Sequence, residues 1–294
     1  MNIQKKASNI YTISSTLPGT SIMILGGTHG NELTGIIVVR KLLQLFLNKN
    51  IILTRGSITL GFGNEEAIAQ NSRWTKSGNN LNRFFTKEQL NNTDYSYESL
   101  RARILANLMQ ESDILIDLHS VNIPSKPFLA CENTINHQEI TKWFTGATDI
   151  ITDPDYILSG GQYSTTDEYM NSLGKIGICF ETGYSKDTSS IKTVLKNILS
   201  ILNDQGLTKN NTGQSPVLNR NIYKMHSQII LTEAGFEYID NFADGEFEPV
   251  TKNQTIGYAG SAPYKSPIDG IVLLQSPQNL WRLNDEIGYI AEKI

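Results

Sequence analysis

The chain lacks several features that would have fixed its class at once. Its 294 residues include only 2 cysteines. Cys131 and Cys179 are too few for a disulfide framework. Cys179 lies inside an apolar run and reads as a small buried hydrophobe. An excess of positive charge is also missing. The balance of 25 Lys and Arg against 29 Asp and Glu gives a formal net charge of -4. That excludes the basic footprint of a nucleic-acid binder and the polybasic patch of a membrane-surface protein. No stretch approaches the roughly 18 consecutive apolar residues of a membrane span. Residues 1–15 hold two lysines but no apolar core of signal-peptide length. There is no internal repeat and no low-complexity segment. The expectation is a cytoplasmic protein with neither nucleic acid nor membrane as partner. A homo-oligomer is compatible with this composition.

What is present is organised around Gly26-Gly27-Thr28-His29-Gly30-Asn31-Glu32. The apolar run at 22–25 predicts a buried strand before it, and the apolar-rich residues 33–47 predict a helix after it. A glycine turn between strand and helix lies where a parallel α/β sheet gathers its ligands, at the carboxyl end of the strand. Further strands are predicted at 10–13, 51–62 (a strand or hairpin around Arg55-Gly56), 114–116, 128–131 (as an edge strand), 150–151 and 176–180. Helices are predicted at 97–111, 139–144, 165–173 and 189–202. In the first of these, Leu100, Ile104 and Leu108 form the apolar stripe, with Arg101 and Arg103 on the wet side. Residues 71–85 read as a polar loop and 153–164 as a second loop. After the polar connector around 210–216, only short strand-like pieces broken by Gly, Pro and Asp remain. The division predicted is an α/β domain at 1–212, built on a mostly parallel sheet flanked by helices, and a small all-β domain at 213–294.

Three predicted strands, ending near residues 26, 116 and 180, are each followed by a group able to do chemistry: His29 with Glu32, His119, and Glu181. If the strands share one parallel sheet, those side chains converge at one edge. Two imidazoles and a carboxylate are suitable zinc ligands, and they leave the fourth tetrahedral position to water. Zinc lowers the pKa of that water towards about 7 and polarises a carbonyl oxygen. Glu181 is then the acid/base that is not itself a ligand, and Asp117 suits a partner that orients His119. Arg73, Asn82 and Arg83 lie in the long polar loop. A guanidinium there suits a substrate carboxylate (Arg83) or a developing oxyanion (Arg73). His137 and His226 have no such companions and read as ordinary polar histidines.

His29-Gly30-Asn31-Glu32, Leu81-Asn82-Arg83-Phe84, Asp117-Leu118-His119 and Glu181-Thr182-Gly183 together resemble, in order, the motifs of the succinylglutamate desuccinylase and aspartoacylase family, within the zinc carboxypeptidase superfamily. The resemblance runs from about residue 22 to 184. It implies an α/β catalytic domain with a mixed, mostly parallel central sheet, a small β domain covering the active-site cleft, and one zinc per chain held by His29, Glu32 and His119, with Glu181 as acid/base. It also implies Arg73 polarising the scissile carbonyl, and Asn82-Arg83 holding a substrate carboxylate. The activity implied is removal of an N-acyl group from an amino acid or similar small amine. A peptide-cleaving metallocarboxypeptidase is the alternative, and a non-catalytic binding protein a more distant one. Two departures stand out. Asn80 replaces the family's usual Asp, which removes a negative charge beside Arg83. Asp167, after Thr165-Thr166, stands where aspartoacylase has an arginine for a second substrate carboxylate. An Asp there repels an acidic substrate side chain and suits a polar or cationic one. The family's supporting tyrosine of the β domain is not assignable from the sequence; Tyr258 and Tyr264 merely lie in the same stretch.

Overall fold

In a computed structural model, the chain is described at residues 1–152, 164–209, 212–240, 242 and 245–294. The predicted loop at 153–164 therefore lies almost wholly outside the described residues, as do Asn210 and Asn211 of the connector. The architecture is α/β, as the sequence predicts, with a 12-stranded mixed sheet and a separate three-stranded one. The first sheet begins with β1 (Asn2–Ala7) and β2 (Ile10–Ser14). The parallel strands β3 (Ser21–Gly26), β4 (Ser57–Phe62), β5 (Ile114–Val121) and β8 (Ile176–Tyr184) form its centre. Next come β6 (Phe128–Cys131), antiparallel to β8, and β7 (Asp149–Thr152). The sheet continues into the C-terminal third: β9 (Asn221–Ile230) pairs in parallel with β7, followed by β15 (Glu286–Lys293), β14 (Gly270–Leu273) and β11 (Glu248–Val250). Strands β10 (Glu237–Tyr238), β12 (Thr255–Ala259) and β13 (Ala262–Lys265) make the small sheet. Among the described residues, no helix is long and apolar enough to cross a membrane.

Helices cover both faces of the central strands. On one side, α1 (Leu33–Leu47) and α7 (Ile191–Asp204) bury Val38, Leu42, Phe46, Ile198 and Ile201 against Ile24, Ile116 and Ile178. On the other, α4 (Tyr97–Gln110) and α6 (Thr166–Ser172) bury Ala102, Leu105, Met109 and Met170 against Met23, Leu25 and Leu115. Burying each large aliphatic side chain is worth about 1.5–3 kcal/mol. Short helices at α2 (Glu65–Gln70), α3 (Lys87–Asn91) and α5 (Ile135–Thr141) connect the layers.

Several sequence expectations shift. Only 57–62 of the predicted 51–62 strand is extended; Ile51 and Leu53 are buried in the connection before it, so the run is apolar for packing, not for pairing. The predicted edge strand β6 lies in the interior, between β8 and β7. β5 and β8 run past their predicted ends, so His119 and Glu181 sit inside strands and not after them. β1 and α3 were not predicted: both are polar stretches whose pairing and packing come from neighbours.

The face of α4 is also turned. Leu100 and Ile104 are exposed, while Arg101 is buried. Arg101 spends its guanidinium on the backbone: Nε donates to Gly63 O (2.8 Å), Nη2 to Phe62 O (2.6 Å) and Nη1 to Ser8 O (3.2 Å), with Glu65 at 3.0 Å. It caps the carboxyl end of β4, where carbonyls would otherwise be buried unpaired. Replacing it with Met should leave those carbonyls without donors and cost about 3 kcal/mol, at 1–3 kcal/mol for each group left unsatisfied. Ile104→Asp should change stability by less than about 0.5 kcal/mol. Denaturant titration of the two variants decides which face is inside.

Candidate metal centre

The turn after β3 places the first two groups. His29 is followed by Gly30, where a Cβ would stand 2.0 Å from the backbone carbon of Ala67. Only glycine allows the turn to lie this tightly on α2. Glu32 is the N-cap of α1 and 1% exposed. His119, on β5, is the register partner of Glu181 on β8, so the two side chains emerge side by side on one face of the sheet. The strand ends thus share an edge, as the sequence argument requires.

The ligand atoms converge on Glu32. His29 Nδ1 lies 2.8 Å from Glu32 Oε1, and His119 Nδ1 3.1 Å from Glu32 Oε2. The backbone N–H of Ser120 donates to Oε2 (3.0 Å) and Arg73 Nη1 to Oε1 (3.2 Å). The nitrogens and carboxylate oxygens of this triad lie within 4.8 Å of one another, all buried. The far side of each ring is engaged elsewhere. Asn80 Oδ1 accepts from the backbone N–H of Asn82, which fixes its amide, so His29 Nε2 at 3.1 Å is the donor. Asn80 therefore orients His29, an arrangement not legible when it is read only as a lost charge beside Arg83. His119 Nε2 lies 3.0 Å from Asp117 Oδ2, although its alignment is poor for a hydrogen bond. Asp117 is held in place by Thr28 Oγ1 (3.0 and 2.9 Å) and Thr166 Oγ1 (2.7 Å).

The electrostatics follow from this crowding. Burial, aided by the Arg73 charge, lowers the His29 pKa to about 4. For His119, burial works in the same direction, but the Asp117 and Glu32 carboxylates outweigh it and raise the pKa well above the usual imidazole value. The two imidazoles likewise overcome burial at Glu32 and hold its carboxyl well below the usual range. A neutral His29 with its proton on Nε2 turns the Nδ1 lone pair toward Glu32. Two Nδ1 atoms face one carboxylate, with Asn80 behind the His29 ring and the Asp117 charge behind His119; a divalent cation there would take the place of the proton that His119 holds. The donor set fits zinc.

Glu181 is pushed up to about 7, mainly by burial, with the charge of Glu32 adding to it. Among the described residues its buried Oε2 has no hydrogen-bond partner, and Cys179 Sγ lies 3.8 Å from Oε1. Cys179 is buried as expected, but it also borders the cavity. These groups line a cavity of ≈ 600 Å³ together with Arg73, Asn82, Arg83 and Asp167.

A family model described as the succinylglutamate desuccinylase/aspartoacylase catalytic domain matches residues 18–202, more than half of the chain. The chain belongs to the succinylglutamate desuccinylase/aspartoacylase family. Among curated relatives, a probable aspartoacylase of Nostoc sp. is 38% identical over 106 residues, which cover 34% of this chain and 34% of that protein. The chain thus spans about a third of the length of the first curated relatives it matches. The aspartoacylase of Danio rerio is 25% identical over 76% of this chain and 73% of its own. Two solved structures share the fold. Succinylglutamate desuccinylase from Vibrio parahaemolyticus has a TM-score of 0.76 at 13% identity, covering 97% of this chain and 86% of its own. A mutant murine aminoacylase 3 has a TM-score of 0.72 at 20% identity, covering 95% and 96%.

Within this family fold, the C-terminal β region supplies one wall of the cavity, and neither tyrosine named from the sequence is part of it. Tyr258 is 45% exposed and Tyr264 packs on Phe236; neither borders the cavity. Tyr289, on β15, does, with Glu286 from the same strand and Trp281 and Arg282 from the preceding connection. Glu286 lies 3.5 Å from Arg83. No local motif flags these residues, because their placement depends on β15 joining β9 across the sheet. His137 is buried, bonded to Thr134 and Asn171, and sits apart from the triad.

The isolated protein should contain about one zinc per chain by elemental analysis. His119→Ala should lose it, and His137→Ala, a buried control, should keep it. Full zinc content in His119→Ala would remove His119 from the ligand set.

Proposed function

We propose that the chain is a zinc-dependent amidohydrolase that removes an N-acyl group from an amino acid or similar small amine. The observation that carries this reading is the buried Glu181 carboxylate, one oxygen unpartnered among the described residues, standing in register beside His119 and sharing a cavity with the His29–Glu32–His119 triad. Bound by those three residues, zinc would supply a Lewis acid that acidifies water and polarises a carbonyl.

The chain's own groups do the rest. Glu181 takes a proton from the attacking water as the new C–O bond forms. It returns that proton to the amine nitrogen as the C–N bond breaks, leaving a carboxylate and a free amine. A carboxyl raised to about 7 by burial is suited to both transfers. Arg73 reaches the cavity beside Glu32, where its guanidinium can steady the negative charge that grows on the carbonyl oxygen. Asn82 has its Oδ1 occupied by the backbone N–H of Thr166 (3.0 Å), so its amide NH₂ is the face left for a ligand. Beside it, Arg83 offers a planar fork for a carboxylate. Asn82 and Arg83 together are the proposed anchor for the substrate carboxylate.

The volume of ≈ 600 Å³ favours a small molecule over a peptide, being within the usual range for small-ligand sites. The C-terminal wall narrows the cleft further. These features count against the metallocarboxypeptidase alternative.

Zinc-loaded protein should hydrolyse members of a panel of N-acyl amino acids and leave C-terminal dipeptide bonds intact. Glu181→Gln should retain zinc while losing 10²–10⁴-fold in kcat, the usual range for a positioned acid/base. Arg73→Ala should lose about 10²–10³-fold. Full turnover in Glu181→Gln would defeat the mechanism, and cleavage confined to dipeptides would replace the deacylase with a carboxypeptidase.

A further inference from the structure

One charged group in the cavity has no part in the proposed chemistry. Asp167 lines the cavity wall and is 9% exposed. Its Oδ1 accepts from Thr165 Oγ1 at 2.8 Å. Among the described residues, no Lys, Arg or His forms an ion pair with it. The sequence stretch 153–163 contains no basic residue either. Its neighbour Glu168 does not compensate it. That carboxylate closes the capping box of α6 by accepting from the backbone N–H groups of Ser164 (2.9 Å) and Thr165 (3.1 Å). Two thiols are kept neutral mainly by burial: the Asp167 charge adds to this at Cys131, and the charges of Glu181 and then Asp167 at Cys179. Without a cation, burial and then the charge of Glu168 push the Asp167 carboxyl up to about 7, and a ligand ammonium beside it would hold it ionised.

Among the described residues, none of the cavity's arginines is paired with Asp167. Arg73 is on Glu32, Arg83 is beside Glu286, and Arg282 lies over the Trp74 ring at 3.5 Å. Asp167 is also tied to the proposed carboxylate anchor. Thr166, the residue before it, donates its backbone N–H to Asn82 Oδ1 and its hydroxyl to Asp117. An anion-accepting pair, Asn82 and Arg83, and an uncompensated carboxylate, Asp167, are thus held in one hydrogen-bonded unit on one cavity.

Resting on the deacylase reading, we infer that the amine half of the substrate is a diamino acid. Its α-carboxylate lies on Asn82 and Arg83, and its side-chain ammonium lies on Asp167. The site therefore rejects amino acids with acidic side chains, which would bring a second carboxylate against the first.

Norvaline and ornithine differ by one terminal ammonium, which makes them the probe pair. Calorimetric binding of the free amino acids to zinc-loaded protein reads the inference without any turnover. Ornithine should bind at least about tenfold more tightly than norvaline, and glutamate more weakly than either. Asp167→Asn should bring the ornithine-to-norvaline ratio close to one; Asp167→Ser serves if that variant does not fold. In turnover, kcat/KM should follow the same order for Nα-acetylornithine, N-acetylnorvaline and N-acetylglutamate. Equal binding of ornithine and norvaline by the wild type, tighter binding of glutamate, or a preference that survives in the Asp167 variants would overturn the inference. Hydrolysis of the neutral substrate without an ornithine preference would defeat this inference and leave the deacylase standing. An ornithine preference in binding with none of the three substrates cleaved would do the reverse.

Discussion

The buried carboxylate of Glu32 is the constraint on which the structure depends. A carboxylate 1% exposed is costly to take out of water unless it is paired. Here three separate stretches of chain meet it: His29 in its own turn, Arg73 from the long loop, and His119 with the Ser120 N–H on β5. Removing any partner leaves charge uncompensated, so the loop, the turn and the central strand have to arrive together. The site and the fold are stabilised by the same contacts.

The parallel order β4-β3-β5-β8 makes this convergence possible. Parallel strands bring all their carboxyl ends to one edge, so groups about 60 to 90 residues apart meet without any long excursion of the chain. The residues behind the ligands matter as much. Thr28 and Thr166, from opposite ends of the first domain-sized stretch, both donate to Asp117, which in turn faces His119. Asn80 does the corresponding work for His29. Each imidazole therefore has a fixed orientation before any ligand arrives.

How much of this was legible in the sequence depends on how local each feature is. The strand–glycine–helix turn at 22–47, the helix at 165–173, and the convergence of His29, Glu32, His119 and Glu181 all follow from short-range signals and one topological rule. The face of α4 did not, because apolar spacing at Leu100 and Ile104 was outweighed by the unpaired carbonyls that Arg101 satisfies. The edge assignment of β6 failed for a similar reason: a short strand carries no mark of which neighbours it will have. Tyr289 and Glu286 were missed because the cavity wall they form exists only once β15 has paired with β9. Asn80 was seen in the sequence, but as a missing charge; only the geometry makes it the partner of His29.

Family membership accounts for the fold, while the proposed substrate preference rests on Asp167. Everything in the proposed chemistry depends on one ion being held by two imidazoles and a carboxylate. X-ray absorption spectroscopy at the zinc edge reads that coordination directly. The account predicts nitrogen and oxygen scatterers at about 2.0–2.2 Å, with two imidazole signatures and no sulfur. A sulfur shell near about 2.3 Å, or zinc in a single-imidazole environment, would place the metal elsewhere and contradict it.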